Sequence, residues 1–596
     1  MDFSSGGGRG LGARPSPPRS TSAVALSRPL FTRLSLSLLR SSANKKTTTQ
    51  QHQTMRPLSS SPAVLALLLV LILASAGSSR GAAIAAAAPP TTSTTTTPQQ
   101  SGPPLGPSVI LLGAYDWEIT PGSDGLPWQR CADSVRRAAT ASRSSAIQFV
   151  PTLGFVLSST SISSFCMFVS GVPNQPSPCQ PLTPVNLADF KRGMEHCFLT
   201  ALESGARTLA VRPHLDSGDG TGAWRNGLLL DPSRAYDGQY SYVDAMINPL
   251  ADALASAQAR WAPQAAAMMQ PSLPQIDLAL QGEMSATVVR YPGQWQALIE
   301  PTRKRASSSS TTTPDNKNNN VRIGVGMNFN RLDDLSSMGQ THDSSRLSWA
   351  AWALGITDVF GAGSKHAEGT VPKVDGPALG ALLRSVDFVS ISAYAPLSWP
   401  GFNPDELGNS AFMVVEQLEA LGVPGAADSL FKPFGPTELV YGEVGLGGGN
   451  SFKGTTRATS PSEVALRPFF GVYGDHSSDS TLDPWAIPEN SAFRREFFGK
   501  LSAWLEQGSK NKRFDVGGAY LWSKSSWDVL GVYDAGYHDP AIAEMLQRHN
   551  CLVGTAAWGD CGGGGDGAGE EEDEGVVTVM SRQEDKPVFV NRVVVP

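Results

Sequence analysis

The chain has 596 residues, of which 41% are hydrophobic and 17% are charged, and its formal net charge is -6. This length and hydrophobic content are sufficient for a large buried core. The slightly acidic charge excludes a protein that binds nucleic acid or an anionic membrane through a strongly basic surface. The sequence contains no P-loop, CxxC, HExxH or Rossmann motif, so we expect neither a cofactor nor a metal ion.

A targeting segment is predicted near the amino terminus. Met55-Arg56 precedes an apolar run over 63–74, and the small residues 75–77 follow that run. A cationic start, a short apolar stretch and small residues are typical of a secretory signal peptide, which we place at 55–80. The run is short for a bilayer, so a signal anchor in the membrane is the alternative interpretation.

The segments on either side of the signal are not expected to belong to a fold. Residues 1–54 are rich in Ser and Arg, and they are interpreted either as an extension upstream of Met55 or as a plastid transit peptide. Residues 81–107 are a tract of Thr, Pro and Ala, which predicts a disordered linker. We therefore expect a protein that is secreted to the extracellular space or the cell wall.

The cysteine residues agree with export, because their number is even and all of them follow the signal. The six are Cys131, Cys166, Cys179, Cys197, Cys551 and Cys561. Two pairs close in sequence, Cys166/Cys179 and Cys551/Cys561, are predicted to form local disulfide bonds, which leaves Cys131 to pair with Cys197. Buried free thiols are the alternative, above all for Cys197, which falls on a predicted helix.

Between residues 108 and 550, strand-like and helix-like segments alternate. The predicted strands are Val109–Tyr115, Ile147–Pro151, Thr208–Arg212, Ile276–Leu280, Val321–Met327, Phe388–Tyr394, Leu439–Tyr441 and Gly518–Leu521. The predicted helices are Leu126–Arg143, Leu187–Ser204, Tyr242–Trp261, Leu347–Leu354, Pro377–Leu383, Ala411–Leu421, Ala492–Glu506 and Pro540–His549.

This alternation predicts parallel βα units. About eight such units indicate an α/β fold of the (β/α)8 TIM-barrel type, formed by a single catalytic domain over residues 108–550. An open, doubly wound sheet is the alternative, but the glycine-rich loop that usually follows its first strand is missing. Residues 303–320 are predicted to be a disordered insertion, and residues 551–596 a tail that contains two cysteines, a glycine run and an acidic run.

Tryptophan, carboxylate and amide side chains recur where the predicted strands end, and in a barrel these ends form one face. The candidate binding residues are Trp117 after the first strand, Arg212, His214, Asp216 and Trp224 after the third, Gln281 after the fourth, Asn328 after the fifth, Tyr394 after the sixth and Trp522 after the eighth. Flat aromatic rings with polar groups between them suit sugars, so we expect a polysaccharide or oligosaccharide ligand.

Two glutamates occupy corresponding positions at strand ends. Glu283 follows the apolar segment Ile276–Leu280, and Glu443 follows Leu439–Tyr441. Hydrolysis of a glycosidic bond requires two carboxyl groups, of which one is protonated and one is ionised.

These motifs resemble the clan of retaining glycoside hydrolases built on (β/α)8 barrels, which includes β-mannanases and cellulases. The resemblance covers residues 108–550. It implies that Glu283 is the acid/base and Glu443 the nucleophile, that Tyr394 hydrogen-bonds the nucleophile, and that Trp522 forms the floor of a sugar subsite. The clan usually carries asparagine immediately before the acid/base, whereas this chain has Gly282, and Gln281 is a candidate replacement.

We therefore expect Glu283 to be protonated in an apolar environment, and Glu443 to be ionised and held by Tyr394 and by Arg212 or His214. The retaining mechanism predicts carboxyl groups about 5 to 5.5 Å apart. The alternative is a catalytically inactive barrel that binds carbohydrate or a protein partner. Transglycosylation, which uses the same residues, is also compatible with the sequence. We expect a monomer with no nucleic-acid partner and no membrane association after signal cleavage.

Overall fold

The computed structural model describes residues 102–553, apart from 118–129, 159–160, 169–178, 220–223, 269–272, 308–319, 331, 334–371, 452–453, 474–480, 509–512 and 534. The predicted signal peptide, residues 1–54 and almost the whole carboxyl-terminal tail lie outside these residues. Among the described residues, no helix has the length and apolarity needed to cross a membrane.

Eleven strands are described. They are β1 Leu105–Leu111, β2 Ala146–Ser158, β3 Ser161–Phe168, β4 Cys179–Pro181, β5 Thr208–Val211, β6 His214–Ser217, β7 Gln275–Ala279, β8 Val321–Asn328, β9 Phe388–Ala393, β10 Glu438–Val444 and β11 Val516–Leu521. Eight of them, β1, β2, β5, β7, β8, β9, β10 and β11, pair in parallel in this order, and β11 pairs with β1.

This closed ring confirms the (β/α)8 barrel and rules out the open sheet, which would leave two unpaired edges. β7 and β10 are the fourth and seventh strands of the ring, as predicted. All seven residues of β1 are buried, and so are seven of the eight in β8. Such strands are covered on both faces, which is why they read as nearly continuous apolar runs in the sequence.

The helices surround the ring. They are α1 Ala114–Trp117, α2 Arg130–Ser142, α3 Pro184–Glu203, α4 Asn248–Ala267, α5 Ser285–Arg290, α6 Pro292–Ala297, α7 Ile299–Ala306, α8 Gly376–Ser385, α9 Asn409–Ala420, α10 Ala426–Ser429, α11 Pro461–Leu466, α12 Pro488–Glu506 and α13 Pro540–Leu552. Several begin with a capping side chain followed by proline. Thr183 accepts a hydrogen bond from the backbone of Asn186 before α3, and Asp539 caps α13 in the same way.

Several predicted boundaries differ from the structure. β1 begins four residues earlier than predicted, and the residues after it, predicted as strand, turn into α1. The predicted insertion over 303–320 is helical at its start, since α7 continues to Ala306, and Arg303 in this helix pairs with Asp387 at 2.7 Å. Its residues 308–319 and the predicted helix Leu347–Leu354 lie outside the described residues.

A small additional sheet stands above one side of the barrel. β2 continues past the ring to Ser158, where it pairs with antiparallel β3 and with parallel β6. Pro151 lies inside this long strand, although the predicted strand ended there. The wall formed by β2, β3, β4 and β6 brings β6 to the carboxyl-terminal face of the ring.

Two of the predicted disulfide bonds are confirmed. Cys166 on β3 bonds to Cys179 on β4, within the wall, and Cys131 on α2 bonds to Cys197 on α3. Cys561, the predicted partner of Cys551, lies outside the described residues.

Candidate active site

Glu443 lies near the end of β10, and its position depends on the glycine before it. The pairing between β10 and β9 shifts register between Tyr441 and Glu443. A Cβ atom on Gly442 would lie 2.1 Å from the hydroxyl oxygen of Ser390 and 2.9 Å from Nη1 of Arg212. Glycine therefore allows a guanidinium group to approach the strand closely enough to contact the glutamate.

Glu443 is buried, with 4% of its surface exposed, and its partners come from three other strand ends. Nη1 of Arg212 lies 2.9 Å from Oε1, and Nε2 of His214 lies 3.4 Å from the same oxygen. The hydroxyl of Tyr394 is a hydrogen-bond partner of the carboxyl group. These are the partners that the sequence predicted.

The pKa of Glu443 is raised to about 8, first by burial and then by the charge of Glu283. The nearby guanidinium groups and the hydrogen bond from Tyr394 lower the pKa, but they do not offset burial. Burial and the charge of Glu283 therefore oppose the ionised form that the sequence analysis expects for Glu443, whereas Arg212 favours it.

Glu283 follows β7 and has a left-handed backbone, with φ of 55°. Its side chain accepts hydrogen bonds at both oxygens. Oε1 accepts hydrogen bonds from Nδ2 of Asn328 at 3.1 Å and from the hydroxyl of Ser392 at 2.7 Å. Oε2 accepts a hydrogen bond from Nη2 of Arg225 at 2.8 Å. The expectation of an apolar environment is therefore wrong, because polar donors from three segments converge on this carboxyl group.

The two carboxyl groups lie close together. One oxygen of Glu283, one oxygen of Glu443 and one ring nitrogen of His214 all lie within 4.8 Å of each other. This upper limit on the oxygen–oxygen distance is compatible with the separation of about 5 to 5.5 Å between carboxyl groups that suits a retaining glycosidase. Three such ligands could also contact a metal ion. However, both carboxyl groups already have a guanidinium partner, so the arrangement favours ion pairs over a bound cation.

The two carboxyl groups line a cavity of about 210 Å³ at the carboxyl-terminal face of the barrel. Its lining consists of aromatic rings with polar groups between them: Trp224, Arg225, Glu283, Asn328, Phe329, Asn330, Tyr394, Glu443, Phe469, Tyr473, Trp522 and Trp527. Six of the predicted site residues are therefore brought together here. They are Trp224, Glu283, Asn328, Tyr394, Glu443 and Trp522.

Arg212, His214 and Asp216 lie beside this cavity and act on its lining. Arg212 and His214 are almost completely buried behind Glu443. The imidazole of His214 is stacked on Trp522, with ring centroids 5.9 Å apart. Burial, followed by the charges of Arg225 and Arg212, lowers the pKa of His214 well below its usual value, so its ring is neutral. Asp216 pairs with Arg225.

Two further predicted binding residues also do not line the cavity. Trp117 is 2% exposed and packs edge-on against Phe190 in the core. Gln281 is completely buried; its amide nitrogen donates to the carbonyl of Gly326, and its amide oxygen accepts from the backbone of Met284. Both ends of this side chain are occupied by the backbone, so it does not replace the missing asparagine.

The structure also explains why residue 282 is glycine. A Cβ atom there would lie 2.5 Å from Cδ2 and 2.7 Å from Nε2 of His214, and 2.8 Å from Cγ of Arg212. No side chain fits at this position unless His214 moves. The imidazole of His214 occupies the space in which an asparagine would begin.

Phe469 and Tyr473 are lining residues that the sequence analysis missed. They follow β10 by more than twenty residues, beyond the short helix α11. The residues directly after each predicted strand therefore do not include them. Arg225 was also not assigned a role, although it follows Trp224 directly. Its ion pairs join it to Glu283 and to Asp216, and nothing in the local sequence predicts the pair with Glu283.

No protein-family model matches the chain, and no curated protein matches it. Among solved structures, the chain is similar to a glycoside hydrolase family 113 β-1,4-mannanase, with 12% identity, a TM-score of 0.33, and coverage of 75% of this chain and 98% of the other. It is also similar to a family 5, subfamily 18 protein from Bifidobacterium longum in complex with Manb1-4GlcNAc, with 11% identity, a TM-score of 0.30, and coverage of 76% and 78%.

A third similar structure is a family 5 xyloglucanase from Paenibacillus pabuli, with 10% identity, a TM-score of 0.27, and coverage of 76% of this chain and 98% of the other. All three belong to the class of proteins that the sequence motifs indicate. At these identities and TM-scores, no conclusion about activity follows from the similarity.

Proposed function

We propose that this chain is a retaining glycoside hydrolase that cleaves β-linked polysaccharide or oligosaccharide of the mannan or glucan type. In this proposal Glu443 is the nucleophile and Glu283 is the acid/base. The observation that carries it is the pair of buried carboxyl groups within 4.8 Å of each other, in an aromatic cavity at the face of the barrel where active sites occur.

The reaction has two steps. In the first, a carboxylate oxygen of Glu443 attacks the anomeric carbon, the glycosidic C–O bond breaks, and the proton of Glu283 passes to the leaving oxygen. In the second, Glu283 takes a proton from water, and the resulting hydroxide attacks the anomeric carbon and releases Glu443. Tyr394 and Arg212 hold the Glu443 side chain in place for both steps.

A proton must reach Glu283 before the first step of the reaction. Two carboxyl groups at this distance share a proton and titrate as a pair. Because burial favours the neutral form of Glu443, the proton must move to Glu283 before the first step. We expect substrate binding to drive this transfer, since a neutral sugar displaces water and brings the leaving oxygen to Glu283.

The lining of the cavity supports a neutral glycan. Trp224, Trp522 and Trp527 offer flat apolar surfaces for the C–H faces of sugar rings. Among the described lining residues, the charged groups are two carboxyl groups and one guanidinium group, and that guanidinium is already paired with carboxylates. This balance disfavours sugars that carry carboxylates.

We also propose that the protein is secreted. The disulfide bonds Cys131–Cys197 and Cys166–Cys179 are typical of proteins that fold in an oxidising compartment. A polysaccharide-degrading enzyme in the extracellular space or the cell wall is consistent with these bonds.

The test is mass spectrometry of the pure protein after incubation with a panel of 2-fluoroglycosides, which trap a glycosyl-enzyme. We expect a covalent sugar adduct on a peptide that contains Glu443, for at least one sugar, and no adduct in Glu443→Gln. The sugar that labels the protein identifies the substrate class. An adduct on a different residue would contradict the proposed assignment.

A second candidate, an inactive barrel that binds carbohydrate, is favoured by the ion pair between Arg225 and Glu283. A glutamate held by a guanidinium group is a poor proton donor. Binding of polysaccharide by folded protein, with no adduct from any sugar in the panel and no turnover, would support this candidate over the hydrolase.

A further inference from the structure

Arg225 connects the proposed acid/base to a second carboxylate. It lies in a 3-10 turn, Arg225–Gly227, which contacts β6 and α5. Its Nη1 pairs with Asp216 on β6, and its Nη2 donates to Oε2 of Glu283 at 2.8 Å. The side chain lines the cavity and is 14% exposed.

The turn that carries Arg225 is attached to the helix that follows Glu283. Oδ1 of Asn226, which is completely buried, accepts a hydrogen bond from the backbone of Ser285 at 3.1 Å. The hydroxyl of Thr287, on the same helix α5, donates to the carbonyl of Leu230. These contacts hold the turn against Glu283 independently of the ion pair.

The hydrogen-bond partners of Glu283 favour its ionised form. A protonated carboxyl needs an acceptor for its hydrogen, whereas an ionised carboxylate only accepts. Arg225 and Asn328 present N–H groups, which cannot accept. The hydroxyl of Ser392 accepts a hydrogen bond from Arg212 at 2.9 Å, so its own hydrogen is free to point to Glu283 at 2.7 Å.

Building on the proposed function, we propose that Arg225 is a positioning residue that holds Glu283 as the carboxylate, the form needed as base in the second step of hydrolysis. Arg225 thereby places the single proton of the pair on Glu443 before substrate binds. Asp216 orients the guanidinium group for this role. The high pKa of Glu443, about 8, agrees with this placement of the proton.

Other groups around Glu283 do not account for the same effect. The titratable and charged groups that face the pair are Arg212, His214, Asp216, Arg225, Tyr394 and Tyr473. The pKa of His214 lies well below its usual value, and burial raises that of Tyr473 to about 12. Neither changes its charge near neutral pH, so neither would produce a pH-dependent change there.

The kinetic test compares wild type, Arg225→Met and Arg225→Lys across pH. Methionine removes the charge and keeps an unbranched side chain, whereas lysine keeps the charge. We expect the pH profile of kcat/KM to move to higher pH by about one unit or more in Arg225→Met, because a cation at hydrogen-bond distance favours the ionised carboxyl. Arg225→Lys should stay within a few tenths of a unit of wild type. Identical profiles for all three proteins would overturn the proposal.

Arg290→Met is the matched control. Arg290 forms a buried ion pair with Asp333 at the end of α5, outside the cavity lining. We expect this variant to unfold at lower temperature while its pH profile matches wild type. A shift in Arg290→Met equal to that in Arg225→Met would mean that loss of any buried guanidinium is sufficient, and would also overturn the proposal.

A second measurement does not depend on activity. In full-length Glu443→Gln protein with 13C-labelled glutamate carboxyl groups, the signal of Glu283 is assigned by its loss in Glu283→Gln/Glu443→Gln and followed by NMR across pH. We expect the pH midpoint of this signal to rise by about one pH unit or more when Arg225→Met is added. With Arg225→Lys the midpoint should stay unchanged.

The two measurements separate the two proposals. A shifted midpoint in a protein that turns over no glycan would support the role of Arg225 and contradict the hydrolase. An unchanged midpoint in an active enzyme would contradict the role of Arg225 and leave the hydrolase standing.

Discussion

The two glutamates of the site have the same chemistry but different support. Glu443 stands on a buried strand, and its partners Arg212, His214 and Tyr394 all belong to strands of the barrel and its wall or to the residues directly after them. Glu283 has a left-handed backbone, and one of its partners, Arg225, belongs to a turn outside the ring. The barrel itself holds the proposed nucleophile, whereas a connecting segment adjusts the proposed acid/base.

This difference suits the two roles. A nucleophile must keep one position through both steps of a retaining reaction, and closely packed strands provide that rigidity. An acid/base must change its protonation between the steps, and a partner on a separate segment can favour one state without disturbing the ring.

Removing either carboxyl group should reveal the difference in catalysis. We expect Glu443→Gln to lose activity by about 10⁴-fold or more on every substrate, because no other group forms the covalent intermediate. Glu283→Gln should lose about 10²- to 10⁴-fold on glycans, and much less in the first step on aryl glycosides whose leaving group needs no proton. Burst and steady-state kinetics would measure both. Equal losses on both kinds of substrate would contradict the assignment of Glu283.

Breaking a disulfide bond should act on one glutamate only. Both sulfur atoms of Cys166–Cys179 lie within 2.7 Å of the position of a Cβ on Gly218, next to the strand that carries Asp216. We expect Cys166→Ser/Cys179→Ser to lose roughly 3 kcal/mol of unfolding free energy, and to shift the pH profile in the same direction as Arg225→Met.

Cys131→Ser/Cys197→Ser is the control for this change. That bond closes a longer loop between two outer helices, so its loss should cost roughly 4 kcal/mol. Its pH profile should match wild type, since α2 and α3 do not contact Asp216 or Arg225 through any described ion pair. Denaturant unfolding and pH–rate profiles test both double variants. Equal shifts of the pH profile in both would contradict a specific effect of the wall on Asp216 and Arg225.

Filling the space before Glu283 should be costly because His214 occupies it. We expect Gly282→Ala to lower the unfolding free energy by about 1 to 3 kcal/mol, through overpacking against the imidazole. Adding His214→Ala should recover part of this loss. The control is Gly293→Ala, where a Cβ meets nothing within 4 Å. Similar stability of Gly282→Ala and Gly293→Ala would show that His214 moves aside at little cost in free energy, and would contradict the prediction.

The stability of the protein should depend on Glu443 in a defined pH range. Its pKa is about 8 in the folded protein against 4.5 as the reference value, so the folded state binds more protons between these limits. Stability therefore falls as pH rises from about 4.5 to about 8. We expect Glu443→Gln to flatten this dependence and to raise Tm near pH 8, whereas the exposed Asp133→Asn should not. A wild-type Tm that rises over this range in step with Glu443→Gln would contradict the effect.

Much of the ring could be predicted from the sequence because its signals are local. Each strand is a short apolar run, and each helix has its own period and caps. The strands β7 and β10, near whose ends Glu283 and Glu443 lie, are predicted in this way, although β10 extends to Val444 and not only to Tyr441. Two disulfide bonds followed from an even count and the spacing of the cysteines.

The directions of side chains around the site could not be predicted in the same way. Alternation along a strand assigns two faces, but Glu283 leaves β7 with a left-handed backbone, and its neighbour Gln281 points into the core. Trp117 ends in the core because the chain turns into a helix after β1. Each of these outcomes depends on backbone geometry after the strand has ended.

By itself, the sequence determined the order of the βα units, the strand ends at which two carboxyl groups emerge, and the cysteines that bond. Only the tertiary structure decided the electrostatics: which carboxyl group is desolvated, which one receives Arg225, and why position 282 has no side chain. The physical reason is the separation along the chain of the residues that interact. Strand and helix formation depend on neighbours along the chain, whereas desolvation and ion pairing depend on distances between segments, such as the 58 residues that separate Arg225 from Glu283.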